Sequence, residues 1–448
     1  MIQIQVGRRL NLTGLPADLE RQFIRENSFT NPKRETLERL GKWTGNEPQT
    51  IDLWTREDGR LILPRGYLTT AIHALKQATL PYVVRDCTVC PPLREQIKAT
   101  GSLYPYQERA LANLLRWPTG VLEAPTGSGK TIIMLAAIAR LETPALIIVH
   151  TTELFDQTCD RVRSWLGVEP GAIAGSKAIL RPVTVGMIQT LSRRDLQAQG
   201  IADYFGAVLV DEAHHSPAMT WAEILEQMPA KYKYGFTATA WRKDGLQFLI
   251  WRLIGGKSAK IIRGEVEEAG KIVWPDVETV ETDYFYPLED ASEWGSMISD
   301  LVTNCERNHL ITREVRSRLK GSRALILTDR IEHTKILAGE LRDLKPVLLI
   351  GEMKKSQREK AMTRVRNGTR LTIATIHLLG EGVDVPGWDL LFLVSPIAGG
   401  PRTLQAVGRV ARPAPGKDRA TVVDFVDSRI RMLTNAARSR QRLYGGAA

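Results

Sequence analysis

One stretch constrains this chain more than any other: Ala124-Pro-Thr-Gly-Ser-Gly-Lys130-Thr131. It follows the apolar run Gly120–Glu123 and opens a helical pattern over Ile132–Leu141, the strand–loop–helix context that a phosphate-binding loop requires. Gly127 and Gly129 let backbone N–H groups curl round a phosphate, and the helix N-terminus adds its positive end. Lys130 is placed for the β- and γ-phosphates of a nucleotide, and Thr131 offers a hydroxyl to Mg²⁺. Ala124, Pro125, Thr126 and Ser128 complete the cradle. The pattern asks for glycine where Ala124 stands, a mild departure because the later glycines make the curl.

The loop fixes the fold class, since it sits between a buried parallel strand and a helix. Short β-branched runs alternate with helical segments on both sides of it: Gly120–Glu123, Ala145–Val149, Val183–Val185 and Ala207–Val210. The rhythm repeats in Ala324–Leu327, Val347–Ile350, Leu371–Ala374, Leu390–Val394 and Thr421–Val423. Apolar runs separated by helices predict parallel sheets covered on both faces. The expected fold is α/β, with a nucleotide-binding domain over 101–260, a connection over 261–294 carrying local structure, and a second α/β domain over 295–448. Residues 1–100 mix strands and helices and predict a smaller N-terminal α+β domain. In it Glu35–Leu40 reads as helix, and Thr50–Trp54 and Arg60–Leu63 as strands of a hairpin around Asp58-Gly59. With 448 residues the chain has room for two or three cores.

Downstream, Ala207-Val-Leu-Val-Asp211-Glu212-Ala-His214-His215 is a hydrophobic strand ending in adjacent carboxylates. Asp211 is suited to hold Mg²⁺, and Glu212 to polarise the water that attacks the γ-phosphate. Together with the phosphate loop these residues predict an NTPase that uses Mg²⁺. They do not say what the energy drives.

Further motifs follow in order. Asp211–His214 is the DEAH form of the Walker B box, and the chain resembles a superfamily 2 helicase, a motor of two tandem RecA-like domains. Leu103–Gln107 resembles the motif upstream of the phosphate loop, in which Gln107 reads adenine. Val149–Leu154, with Thr151, and Val183–Leu191, with Thr190, sit where motifs Ia and Ib contact nucleic acid. Phe236–Asp244, with Thr237, Thr239 and Arg242, resembles the motif III region. Leu327–Arg330 fits motif IV, with Arg330 toward nucleic acid. Ala374–Pro386 fits motif V, with Thr375 toward nucleic acid and Glu381, Gly382 and Asp384 toward the nucleotide. Gln405–Arg412 fits motif VI, where the resemblance implies that Gln405, Arg409 and Arg412 act on the γ-phosphate and His214 couples the domains. Within the superfamily the chain is similar to XPB-like and phage UvsW-like DNA helicases, through Thr237–Thr239 followed by Arg242-x-Asp244. Lys243 stands where XPB-type proteins carry Glu.

That resemblance implies an ATP-dependent helicase or translocase that tracks DNA 3′→5′ in repair, recombination or fork remodelling. DNA is the expected partner: single-stranded, duplex or branched. Three rivals stand beside it: the motor subunit of a restriction or defence complex, an ATP-gated nucleic-acid clamp, and an RNA helicase. A net charge of +11 agrees with a polyanionic partner. The segment 402–448 holds ten basic residues against three acidic ones. There Arg438, Arg440 and Arg442 alternate, which suits either a phosphate-tracking tail or a solvated helix end. Trp43, Trp54, Tyr67, Trp241, Trp251 and Trp294 suit either base stacking or packing. Cys87 and Cys90 read as thiols in a turn, since no second ligand pair follows them. Sparse cysteine, no export signal and no long apolar stretch predict the cytoplasm; with the resemblance, this is the cytoplasm and nucleoid of a bacterial or phage-infected cell.

Overall fold

The structure, a computed structural model, describes residues 1–211, 218–238, 246–287, 293–379, 385 and 387–444. It divides into two compact units, Met1–Pro125 with Gly129–Ile262, and Thr126–Ser128 with Arg263–Ala448. No helix among the described residues is long and apolar enough to cross a membrane.

The first unit contains three sheets. Strands β1 (Ile2–Val6), β2 (Leu10–Thr13), β5 (Thr55–Glu57), β6 (Arg60–Leu63) and β7 (Tyr82–Asp86) form one, in the order β5-β6-β2-β1-β7. Strands β3 (Ser28–Thr30) and β4 (Thr50–Asp52) pair separately. The hairpin at Asp58-Gly59 is present, with φ of 48° and 72° in its turn, but Arg60–Leu63 pairs with Thr55–Glu57. Thr50–Trp54 is therefore not its partner strand: Thr50–Asp52 turns away to the Ser28–Thr30 strand. The predicted helix at Glu35–Leu40 appears as Pro32–Arg39, capped by the Asn31 side chain.

The large sheet of this unit runs β11-β10-β12-β9-β13-β14-β8-β15. Its strands are β8 (Thr119–Glu123), β9 (Ala145–Val149), β10 (Gly171–Ala174), β11 (Lys177–Ile179), β12 (Val183–Met187), β13 (Ala207–Asp211), β14 (Tyr232–Thr237) and β15 (Lys257–Lys260). All neighbours except β10–β11 are parallel. Residues of β9 and β13 are buried throughout, as strands covered on both faces must be.

The small N-terminal region is packed onto this sheet's helices within the same unit. Leu53 joins the large core, with Phe29 and Ile51 packed against it. Phe29 stacks on Phe248 at 3.8 Å between ring centroids. The buried Arg65 donates to the carbonyls of Ala230 and Lys231. Gly66 lies so close to the end of the helix Gln247–Leu253 that a Cβ there would collide with the Trp251 and Arg252 carbonyls.

The second unit carries β16 (Asp276–Glu281), β17 (Ala324–Thr328), β18 (Val347–Leu349), β19 (Leu371–Thr375), β20 (Leu390–Leu393) and β21 (Thr421–Val426), in the order β16-β21-β20-β17-β19-β18. Every pair is parallel. Strand β16 falls inside the predicted connection 261–294 and is an edge strand of this sheet rather than a linker. Two buried ion pairs hold the unit's periphery to its sheet: Arg307 with Asp427 at 2.7 Å, and Arg440 with Asp424 at 2.8 Å. Arg440 is 1% exposed, so it is no part of a solvated or phosphate-tracking row with Arg438 and Arg442. A side chain so buried is structural, and its charge is matched by the carboxylate.

Candidate nucleotide site

The large sheet of the first unit places three chemically useful strand ends side by side. Strand β14 lies between β13 and β8. In register, Asp211 of β13 faces Phe236 of β14, while Thr237 of β14 faces Glu123 of β8. Because these strands are parallel, their C-terminal tips share one edge, where open α/β sheets bind ligands. The phosphate loop leaves β8 there. Its first residue is tied to the neighbouring strand, with Ala124 N donating to Thr237 O at 2.9 Å. Asp211 is 6% exposed and Thr237 is fully buried, so both strand ends are rigidly set.

The loop itself has the conformation that a phosphate cradle needs. Gly127 and Gly129 take φ of 88° and 82°, left-handed values that turn successive N–H groups inward. A side chain at Gly129 would also collide with the Gln107 amide. The helix then runs Lys130–Leu141, starting two residues earlier than the apolar pattern alone indicates, with Gly129 as its N-cap. Lys130 Nζ donates to Ala124 O at 3.2 Å, which keeps the ammonium folded over the loop. The residues fit a nucleotide's phosphates: a glycine-turned backbone, a helix N-terminus and an ammonium converge on one place. When bound, ATP supplies the phosphoanhydride and Mg²⁺ the charge that offsets its oxygens. Lys130, Thr131 and Asp211 are the residues that would hold them.

Gln107 is 4% exposed on the helix Pro105–Leu115, and its Oε1 accepts from Tyr104 N at 3.0 Å. One amide thus caps its own helix while its other end leans on Gly129. That contact sets the Gln107 amide against the phosphate loop.

The remaining sequence-derived residues are distributed as follows. Thr151 caps the helix Thr152–Leu166, accepting from Leu154 N at 3.2 Å. Thr190 accepts from Gly175 N at 3.1 Å. In the second unit, Arg330 is exposed at the start of the helix Ile331–Glu340, and Thr375 ends β19, buried. Gln405 and Arg409 lie four residues apart on the helix Pro401–Val410 and so share a face; both are half-buried, as is Arg412 just past it. Glu212, His214, Thr239, Arg242, Glu381, Gly382 and Asp384 lie outside the described residues.

Lys417 is a supporting residue that sequence reasoning had counted with the basic surface. It is 8% exposed, and its Nζ donates to Trp388 O at 2.6 Å, Arg412 O at 2.9 Å and the Val410 carbonyl. Burial pushes its ammonium down to about 8. It ties down the carbonyl end of the Pro401–Val410 helix, where a cation also meets the negative end of the helix dipole. No local pattern in Ala414-Pro-Gly-Lys417 signals this.

Two family models match the chain: "Type III restriction enzyme, res subunit" over residues 100–242, and "Helicase conserved C-terminal domain" over residues 306–414. Among relatives, "Probable helicase D10" of Escherichia phage T5 is 29% identical over 317 residues, covering 69% of this chain and 68% of that protein. "DNA 3'-5' translocase XPB2" of Sulfurisphaera tokodaii is 24% identical over 373 residues, covering 73% and 82%. A solved structure of S. cerevisiae Dbp5 bound to RNA and ADP BeF3 shares the fold, with a TM-score of 0.56 at 16% identity, over 77% of this chain and 88% of that one. The two parallel-sheet units are thus RecA-like domains, and the chain carries both domain types of the superfamily 2 helicases, enzymes that hydrolyse ATP.

Proposed function

We propose that this helicase is a DNA motor, unwinding or translocating in repair, recombination or fork remodelling. The observation that carries the reading is the shared edge of β8, β14 and β13. There the phosphate loop, Thr237 and Asp211 stand side by side on a sheet whose relatives include a DNA 3'-5' translocase. In this reading Lys130 holds the β- and γ-phosphates, and Thr131 and Asp211 hold Mg²⁺. Glu212 polarises the attacking water, while Gln405, Arg409 and Arg412 meet charge growing on the γ-phosphate. Thr237, at the tip of the strand between loop and Walker B, is placed to sense both and pass the state on through the segment after it. The Arg242-x-Asp244 pattern and the XPB-type relatives favour DNA over RNA, and 3′→5′ tracking.

Steady-state ATP turnover tests this. Turnover should rise at least tenfold with single-stranded or branched DNA and little with RNA, and Lys130→Ala should abolish it. Stimulation by RNA alone would move the chain to the RNA-directed branch. Turnover indifferent to every nucleic acid would contradict the motor reading.

A further inference from the structure

Of the aromatic residues singled out by the sequence and described by the structure, all but one are packed. Tyr67 is fully buried and donates to Glu26 Oε2 at 2.6 Å. Trp54 packs on the N-terminal core and donates to Ser28 Oγ at 2.9 Å. Trp251 packs on the large core, and Trp294 on a cluster around Tyr284. Trp43 is different: it is 88% exposed, the most exposed large apolar residue described. Leu40 beside it is 56% exposed. Removing a tryptophan from water contributes a few kcal/mol, so one held out in solvent forgoes that stabilisation.

The loop that carries it is not slack. Gly41, at φ 60°, ends the helix Pro32–Arg39, and Lys42 N donates to Leu37 O at 2.9 Å in a helix-terminating turn that directs the chain outward. The far side is pinned to that helix's start. Asn31 Nδ2 donates to Pro48 O at 3.0 Å, Arg34 Nη1 to Glu47 O at 2.9 Å, and Lys33 pairs with the Glu47 carboxylate. Gly45, at φ 59°, underlies the ring: a Cβ there would lie 3.5 Å from the Trp43 six-membered ring. The indole is thus propped on one side and open on the other. Arg39 and Lys42 flank it, both exposed, and neither has an ion-pair partner among the described residues.

We infer that this loop is a binding site for an unpaired nucleobase, with Trp43 as the stacking surface and Arg39 and Lys42 as cations for the adjoining phosphates. The inference rests on the proposed nucleic-acid motor. An open aromatic face between cations matches a base and its backbone, and stacking accepts any base because each has a π-face. A docked peptide would need an apolar floor, and Leu40 is the one other exposed large apolar residue within 31–50. The base must be unpaired, because a duplex interior offers no free face. Phe29–Phe248 stacking and the Arg65 contacts fix the N-terminal region to the nucleotide-binding sheet. A strand held at Trp43 is therefore held by the same compact unit that carries Asp211 and Lys130.

The test uses the full chain and fluorescein-labelled oligo(dT), read by anisotropy, beside a blunt duplex of the same length. Trp43→Ala should weaken single-strand binding about 5- to 100-fold, the range of one lost base–aromatic stack. Trp43→Phe should keep most of the affinity, and Arg39→Ala/Lys42→Ala should lower the salt dependence by roughly two ion equivalents or fewer. Blunt-duplex affinity should stay within about twofold, and circular dichroism should show all variants folded. Unchanged single-strand binding by Trp43→Ala would overturn the inference while leaving the motor reading intact. An equal loss on blunt duplex would overturn the stacking role. Failure of the wild-type chain to bind or respond to any nucleic acid would remove the motor reading, and this site with it.

Discussion

The strand β8 of the first unit and β17 of the second are each followed by a helix in a parallel sheet, yet the connections differ. After β8 six residues, Ala124–Gly129, intervene before the helix, two of them glycines at positive φ. After β17 only Asp329 and Arg330 intervene, and Thr328 Oγ1 donates to Arg330 O at 2.9 Å to close a tight turn. The strand rhythm is a packing solution that both units share. Of these two connections, the glycine-turned one has the backbone suited to phosphates. Charge is buried in two ways, in carboxylate pairs or, as at Lys233 of the first unit and Lys417 of the second, against carbonyls. The second unit pairs Arg307 with Asp427 and Arg440 with Asp424. The first buries Lys233 at 1% exposure and satisfies it with Leu225 O at 2.7 Å. Burial, with Arg65 adding to it, holds the Lys233 ammonium well below the usual lysine range, Glu226 only partly opposing this.

The sharpest break of this comparison is Lys130→Ala. It should lower ATP turnover by roughly 10³-fold, as loss of a phosphate cation does, with the fold intact by circular dichroism. Lys335→Ala, on the helix that follows β17, should leave turnover at the wild-type level. An equal loss from both would mean that the second connection also binds nucleotide.

Next in size is the buried charge. Arg440→Met leaves Asp424 uncompensated and should cost about 3–5 kcal/mol in chemical denaturation, while Arg440→Met/Asp424→Leu should recover most of it. Lys233→Met removes a buried cation that has no paired carboxylate, so its cost should be smaller, about 1 kcal/mol. Equal costs would contradict the contrast between charge buried in a pair and charge buried against carbonyls.

A third effect depends on pH. His333 is fully buried in the second unit, with Nε2 2.9 Å from Asn308 Oδ1, and burial, with Arg307 adding to it, pushes the imidazole down to about 3. Between that value and the ordinary 6.5 the unfolded chain binds a proton that the folded chain does not. Stability of the second unit should therefore fall as pH drops through this window, and His333→Gln should flatten the slope. The smallest effect belongs to Arg9 and Glu226, 3.4 Å apart and partly exposed. Breaking that pair should change stability by about 0.5 kcal/mol or less.

Much of this was legible in the sequence, for definable reasons. The phosphate loop and strands such as Ala145–Val149 announce themselves because a strand buried on both faces must be apolar throughout. Strand β14, Tyr-Lys-Tyr-Gly-Phe-Thr, does not, since its buried Lys233 is satisfied by a carbonyl that only the folded chain brings near. Strand β7 pairs parallel with β1, a contact between residues 2–6 and 82–86 that no local pattern encodes. Arg440 looked like surface because charge alone does not reveal that Asp424 awaits it. Gln107 stood out only through a motif likeness, and its cap on Tyr104 and its contact with Gly129 needed coordinates.

In the proposed function, ATP hydrolysis at the β8–β14–β13 edge moves the chain along DNA. Displacement of a labelled third strand from a triplex on linear DNA tests it most directly, because it reports movement without requiring strand separation. The account predicts displacement that needs ATP, fails with a non-hydrolysable analogue and is absent in Lys130→Ala. DNA-stimulated hydrolysis with no displacement would contradict it and leave an ATP-gated clamp.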